Sequence, residues 1–154
     1  MSDTQGALPI MQTRIDVLST LGFHWVEFDN MDWLTQERKE EYNLSANIAQ
    51  AKAYVNTLCD HARTKGLMCM AKNTLGGFED FDGVTYESYH DLKNWWDSTS
   101  TKRFLDQGKP VIIVHYNELN CDAVYEEYKT IYNSDKISFI CEDRTLKRYK
   151  HYNE

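Results

Sequence analysis

The chain has 154 residues, a formal net charge of −7 and a pI near 5.2. That length suits one domain with a real core, and the acidic balance argues against nucleic acid or an anionic membrane surface, whose phosphates call for a basic patch. No apolar run approaches the ~18–20 residues that span a bilayer, and the opening MSDTQGALPI has no basic stretch leading into an apolar one, so the chain reads as intracellular or as a processed piece.

The expected organisation is a polar lead over residues 1–7 and a single domain over 8–154. LPIMQTRIDVLSTLG places Ile10 or Met11, Ile15, Leu18 and Leu21 at helical spacing, with Pro9 in the first turn and Gly22 as the stop. WVEFDN then reads as a strand. MDWLTQERKEEYNLS is polar and aromatic and reads as a long loop. SANIAQAKAYVNTLCDHARTKG carries Ile48, Ala51, Val55, Leu58 and Ala62 on one helical face, with Ser45 as a cap and Gly66 at the end.

LMCMAKN is a second strand, followed by the turn TLGGFEDF and a third strand, DGVTYES. YHDLKNWWDSTSTKRFLDQGK reads as a loop and a short helix closed by Gly108. PVIIVHY is a run of mostly β-branched residues, the pattern of a strand buried on both faces. NCDAVYEEYKTIYN gives a helix capped by Asn120, with Val124, Tyr128 and Ile131 on one face, and KISFICED is a fifth strand. The basic tail LKRYKHY reads as a solvated end. Strands alternating with helices, without hairpin signals, predict an α/β fold with a mainly parallel sheet of about five strands.

Cys59, Cys69, Cys121 and Cys141 are widely spread, with no CxxC or His-rich pairing, so no metal and no cofactor are expected. Cys69 and Cys141, in apolar strand-like runs, and Cys59, on a helix face, read as buried free thiols, with disulfide pairing left open.

Parallel sheets place ligands at the carboxyl ends of their strands. Those ends carry Asp29 and Asn30, Lys72 and Asn73, Glu87, His115 and Tyr116, and Asp143 with Arg144. By strand alternation Glu27 and Asp29 share one face while Val26 and Phe28 take the helix side. Glu87 likewise goes with Thr85, opposite Val84 and Tyr86; His115 falls with Val111 and Ile113, and its direction stays open. Two carboxylates on one open face are the minimum for glycoside hydrolysis, one as acid and the other as nucleophile or base. A neighbouring Lys72 would hold one of them ionised and so separate their roles. Trp25, Trp33, Trp95 and Trp96 suit stacking on sugar faces.

These residues resemble a known family. RIDVLSTLGFHWVEFDNMD is similar to the R(L/I)D…GxDxVExDNxD segment of glycoside hydrolase family 114, the endo-α-1,4-polygalactosaminidase-like group, and GLMCMAKN to its GLxxGLKN strand. YESYHD falls where the family has NEQC, GKPVIIVHY with the following Cys121 resembles GKPVFxxEY with its later cysteine, and ICEDRTL resembles LKDRxL. The matches run in order over residues 11 to 146.

The resemblance implies a (βα)8 barrel, usually secreted, that cuts galactosamine-containing polysaccharide. It makes Asp29 and Glu87 the catalytic carboxylates, with Asp32, Lys72 and Asn73 lining the site. Strand-end placement adds Glu27, Asn30, Trp33, His115, Tyr116 and Asp143 as substrate-binding residues. A polysaccharide or oligosaccharide, cationic in keeping with the acidic surface, is the expected ligand.

Three departures stand out. The glutamate of the family's VEY strand is His115 here, and the cysteine of NEQC is Tyr89 or Ser88 depending on register. The connection between LMCMAKN and DGVTYES is shorter. The family's first three strands have no counterpart, so the expected fold is an incomplete TIM barrel; closure takes about 250 residues. An open sheet leaves an edge to be covered, by a second copy, another chain or the amino-terminal lead. Three readings follow: a family-114-like glycosidase, a catalytically inactive barrel fragment acting as a structural or interaction subunit, and a sugar-binding module dependent on Trp33 or Trp95.

Overall fold

The computed structural model describes residues 4–29, 40, 48–73, 81–89, 98–116, 121–132, 137–143, 145, 147 and 149–152. The chain divides into two compact units, Met1–Thr74 with Asp80–Asp82, and Leu75–Glu79 with Gly83–Glu154. Most of the long loop expected after the first strand lies outside the described residues, as do the caps Ser45 and Asn120.

The first unit contains α1 (Thr4–Thr20), β1 (Trp25–Glu27), α2 (Ile48–Thr64) and β2 (Met68–Lys72). Helix α1 begins inside the expected polar lead, and Pro9 lies within it rather than in its first turn. The apolar repeat that marks a buried face starts only near Ile10, so periodicity carries no signal for the turns before it. Of the expected stripe, Ile15 is buried, whereas Ile10 and Leu21 are exposed. Helix α2 buries Ala51, Val55, Leu58, Cys59 and Ala62, the face the i, i+3, i+7 spacing predicts.

Both helices end in the same way. After α2, Gly66 adopts φ 78°, Gly66 N–H donates to Arg63 O at 3.0 Å and Leu67 N–H to Ala62 O at 3.0 Å. This double bond closes a helix C-terminus around a left-handed residue, which glycine adopts without a Cβ penalty. Gly22 plays the same part after α1, with Phe23 N–H reaching Leu18 O at 3.2 Å. The two helices are tied by Ser19 Oγ, which donates to Lys65 O at 2.8 Å, and by Asp16, whose Oδ1 lies 2.8 Å from His61 Nε2 and 3.0 Å from Lys65 Nζ.

Strand β1 pairs in parallel with β2, with Val26 opposite Cys69 and Glu27 opposite Met70. Val26 and Phe28 are buried on the helix side, as alternation predicts. The carboxylate of Asp82 accepts from Cys69 N–H at 2.8 Å and from Arg63 Nε at 3.1 Å, fixing the start of β2 against α2.

The second unit contains β3 (Gly83–Tyr89), α3 (Ser98–Asp106), β4 (Val111–Tyr116), α4 (Cys121–Tyr132), β5 (Ile137–Glu142) and β6 (Tyr149–Tyr152). β3 pairs with β4 and β4 with β5, both in parallel, with Tyr86 opposite Ile113 and Ile113 opposite Phe139. Val84, Tyr86, Val111, Ile113, His115 and Phe139 are fully buried and form the core of this unit.

Two expectations are corrected. The basic tail is not a free solvated end: its last residues form β6, antiparallel to β5, with Phe139 opposite Tyr152 and Glu142 opposite Tyr149. Asp122 at the start of α4 holds this strand by pairing with Lys150 and by accepting from Tyr152 Oη at 2.6 Å. The described residues therefore contain the five expected strands and a sixth, antiparallel one.

The cysteines are likewise not free thiols. Cys59 is bonded to Cys69 and Cys121 to Cys141, with Cα atoms 5.2 and 5.8 Å apart. Cys59 sits on the buried face of α2, and Cys69 on the following strand points back at it. Cys141 faces α4 from β5 in the same way. A helix packed on the strand that follows it brings two such positions within the ~4.4–6.8 Å a disulfide spans.

Candidate active site

Strand-end polar side chains gather in two groups, one in each unit.

In the first unit Glu27 and Asp29 lie on the side of the sheet opposite Val26 and Phe28, as expected. Like charges so close together need relief, and Lys72 supplies it. Lys72 shares the face of Met70, which is paired with Glu27. Its Nζ stands 3.6 Å from Glu27 Oε1 and 3.5 Å from Asp29 Oδ1. The lysine side chain is only 13% exposed and Glu27 27%, while Asp29 is 60% exposed. Of the two carboxylates sharing the ammonium, Asp29 is therefore the one open to a ligand. Asn73 follows with φ 50°, the left-handed region that asparagine tolerates better than most residues, and turns the chain as β2 ends.

Trp25 shares the face of Glu27 and is 46% exposed, opposite Met68. It is an apolar surface beside the acidic rim. Asn30, Asp32 and Trp33, expected to complete this rim, lie outside the described residues, as do Trp95 and Trp96.

In the second unit Glu87 lies opposite Val114, on the face away from Tyr86, again as alternation predicts. Tyr116 Oη donates to Glu87 Oε1 at 2.8 Å. His115 takes the other face: it lies in register with Cys141, is fully buried and stacks on Phe139 with ring centroids 6.2 Å apart. It thus packs on the helix side, away from Glu87 and Tyr116. Asp143 Oδ1 accepts from Thr145 N–H at 3.0 Å, Thr145 Oγ1 at 2.9 Å and Lys147 N–H at 3.3 Å, so its carboxylate is engaged in the turn after β5.

Glu142 was not among the expected residues. It lies opposite Tyr116 in the β4–β5 register and so shares the face of Glu87. The signal was present in ICED: once Cys141 is assigned to the helix side, alternation sends Glu142 to the other face. Among the described residues no group of three or more His, Cys, Asp or Glu side chains is arranged to hold a metal ion.

Chemically, the first unit offers an exposed carboxylate beside an ammonium, and the second a carboxylate fixed by a phenol hydroxyl. Each sits at the carboxyl end of a parallel strand, where α/β folds place their reactive groups.

Comparison with known proteins agrees with this architecture. The glycoside hydrolase domain of PelA from Pseudomonas aeruginosa superposes with a TM-score of 0.58 at 16% identity, and a variant of that domain with 0.61 at 15%. In both cases the match covers 92% of this chain and 61% of the other, so the chain spans about three fifths of the length of the domains it resembles. The fold is thus α/β, mostly parallel and similar to part of a TIM barrel. No curated protein matches the chain. Residues 2–154 match the family model described as "Glycoside-hydrolase family GH114", and the chain belongs to that family.

Proposed function

We propose that the protein hydrolyses a glycosidic bond in a galactosamine-containing polysaccharide, with Asp29 and Glu87 as the two reacting carboxylates. Family membership supports the reaction class. The observation that carries the residue assignment is the exposure of Asp29 beside Lys72, at the end of the strand whose sequence matches the family's acidic segment. Glu87 is the carboxylate at the end of the strand corresponding to NEQC. Glu27 holds the Lys72 ammonium in place from the less exposed side. Asn73 follows at the end of β2, and Asn30, Asp32 and Trp33 are assigned to the sugar by sequence alone.

One carboxyl group protonates the leaving oxygen while the other attacks the anomeric carbon or activates a water, through an oxocarbenium-like transition state. A polymer carrying ammonium groups is favoured by the net charge of −7. Disulfides in both units fit an oxidising compartment. The test is hydrolysis of a galactosamine oligosaccharide by the wild-type protein and by Asp29→Asn and Glu87→Gln. Wild-type turnover that both substitutions abolish supports the assignment; turnover that survives either one refutes it for that residue.

A second reading is favoured by a separate observation. Ile10, Val17 and Leu21, which fall on one face of α1 and its C-terminal turn, are between 50% and 67% exposed. A surface of this kind suits cover by a second copy or another chain, and the protein would then serve as an interaction subunit. Sedimentation of the purified protein decides it: a monomer that binds no added chain rejects this reading.

A further inference from the structure

Tyr116 stood among the residues expected to bind sugar. Its geometry gives it another task. Glu87 lies opposite Val114 and Tyr116 is two residues further along β4, so the two side chains are diagonal neighbours on one face. One strand across and two residues along a parallel strand is a diagonal of roughly 8 Å between Cα atoms, a span a tyrosine side chain crosses. The phenol hydroxyl closes it with the 2.8 Å bond to Glu87 Oε1.

The two partners differ in stiffness. Tyr116 projects from a strand whose opposite face, Val111, Ile113 and His115, is fully buried, and its ring has only two side-chain torsions. A glutamate side chain has three torsions and loses substantial rotamer entropy when held. A rigid donor therefore fixes a flexible acceptor.

We propose that Tyr116 is a positioning residue that aims the Glu87 carboxyl group, rather than a contact to the sugar. This rests on Glu87 being one of the two reacting carboxylates. The role holds in either protonation state: the hydroxyl donates to a carboxylate and accepts from a carboxylic acid, leaving the geometry unchanged. Reacting groups must be held within about 0.5 Å of the productive position, and a misplacement of ~1 Å can lower the rate about a hundredfold.

Tyr116→Phe removes one oxygen and keeps the ring. With a galactosamine oligosaccharide as substrate, kcat falls roughly 10–100-fold while KM stays nearly constant and the melting temperature hardly moves. An increase in KM at constant kcat, the signature of a lost sugar contact, overturns the proposal. The carboxylate carbon-13 resonance of Glu87, assigned by its loss in Glu87→Gln, supplies a readout that needs no turnover. It moves in Tyr116→Phe at fixed pH if the hydroxyl contacts it, and an unmoved resonance overturns the contact. A wild-type protein without turnover whose Glu87 resonance still responds to Tyr116→Phe overturns the glycosidase reading and leaves the contact standing.

Discussion

Lys72 Nζ stands 3.5 Å from Asp29 Oδ1, and the same ammonium lies 3.6 Å from Glu27 Oε1. One cation thus serves two carboxylates at the end of a short parallel pair of strands. Lys72→Met removes the charge and keeps much of the stem. The two carboxylates then repel one another next to a largely buried apolar chain, and we expect a loss of stability of about 1 kcal/mol. Activity on a galactosamine oligosaccharide falls more than stability accounts for, by a factor of roughly 10 or more. Thermal melts and initial rates on the same preparations check both numbers; unchanged rates show that the ammonium serves the fold alone.

His115 and Tyr116 are consecutive and take opposite faces of the sheet. His115→Ala opens a cavity in the core of the second unit, where the ring stacks on Phe139. The expected cost is about 2–4 kcal/mol, in the range of other large-to-small core changes. Urea unfolding measures it, and KM at a temperature where the variant is folded stays near the wild-type value. A stable variant with a raised KM places His115 in the sugar site after all.

Each disulfide joins a helix to the strand that follows it, across 10 residues for Cys59 and Cys69 and 20 for Cys121 and Cys141. Loop-closure entropy puts the contribution of each near ~3 kcal/mol. Replacing either pair by alanines lowers the free energy of unfolding by about that much, the longer loop slightly more. Equal denaturant midpoints for oxidised and reduced protein contradict this.

How legible this was depended on what kind of information each feature needs. Strands β1 to β5 follow from short runs of apolar and β-branched residues, with glycine marking the start of β1 to β4 and the polar NSDK that of β5, and the directions of Glu27, Asp29 and Glu87 follow from alternation alone. β6 escaped because YKHY shows no apolar alternation; it is held by pairing with β5 and by Asp122 on α4, both distant in sequence. The disulfides escaped for the same reason. Helical and strand periods assign Cys59, Cys69 and Cys141 to buried faces, but only packing says which faces meet. His115 shows the limit of parity in a strand buried on both sides: Val111, Ile113 and His115 alternate with Ile112, Val114 and Tyr116, and both sets contain apolar residues. Its register with Cys141, which is tied to α4, settles the direction.

Asp16 and Asp122 carry a dependence on acid. The hydrogen bond from Lys65, and after it that from His61, holds the Asp16 carboxyl below the ordinary aspartate range. Asp122 is lowered likewise, first by Lys150 and then by Tyr152. A carboxyl whose titration is depressed by folding contributes stability above its unfolded value, about 3.9, and loses it as pH falls through the lower folded value. Melting temperature therefore drops below pH ~4, and less steeply in Asp16→Asn. Both carboxylates are exposed, so high salt weakens the effect. Parallel curves for wild type and variant below that pH rule out the Asp16 contribution.

The separation of the Asp29 and Glu87 carboxyl groups in a crystal structure tests the account most directly. A glycosidase of this design places them roughly 5–5.5 Å apart if it retains anomeric configuration and roughly 6.5–9.5 Å apart if it inverts. Carboxyl groups much further apart than this, or turned from one another with side chains packed between them, contradict the assignment of the pair.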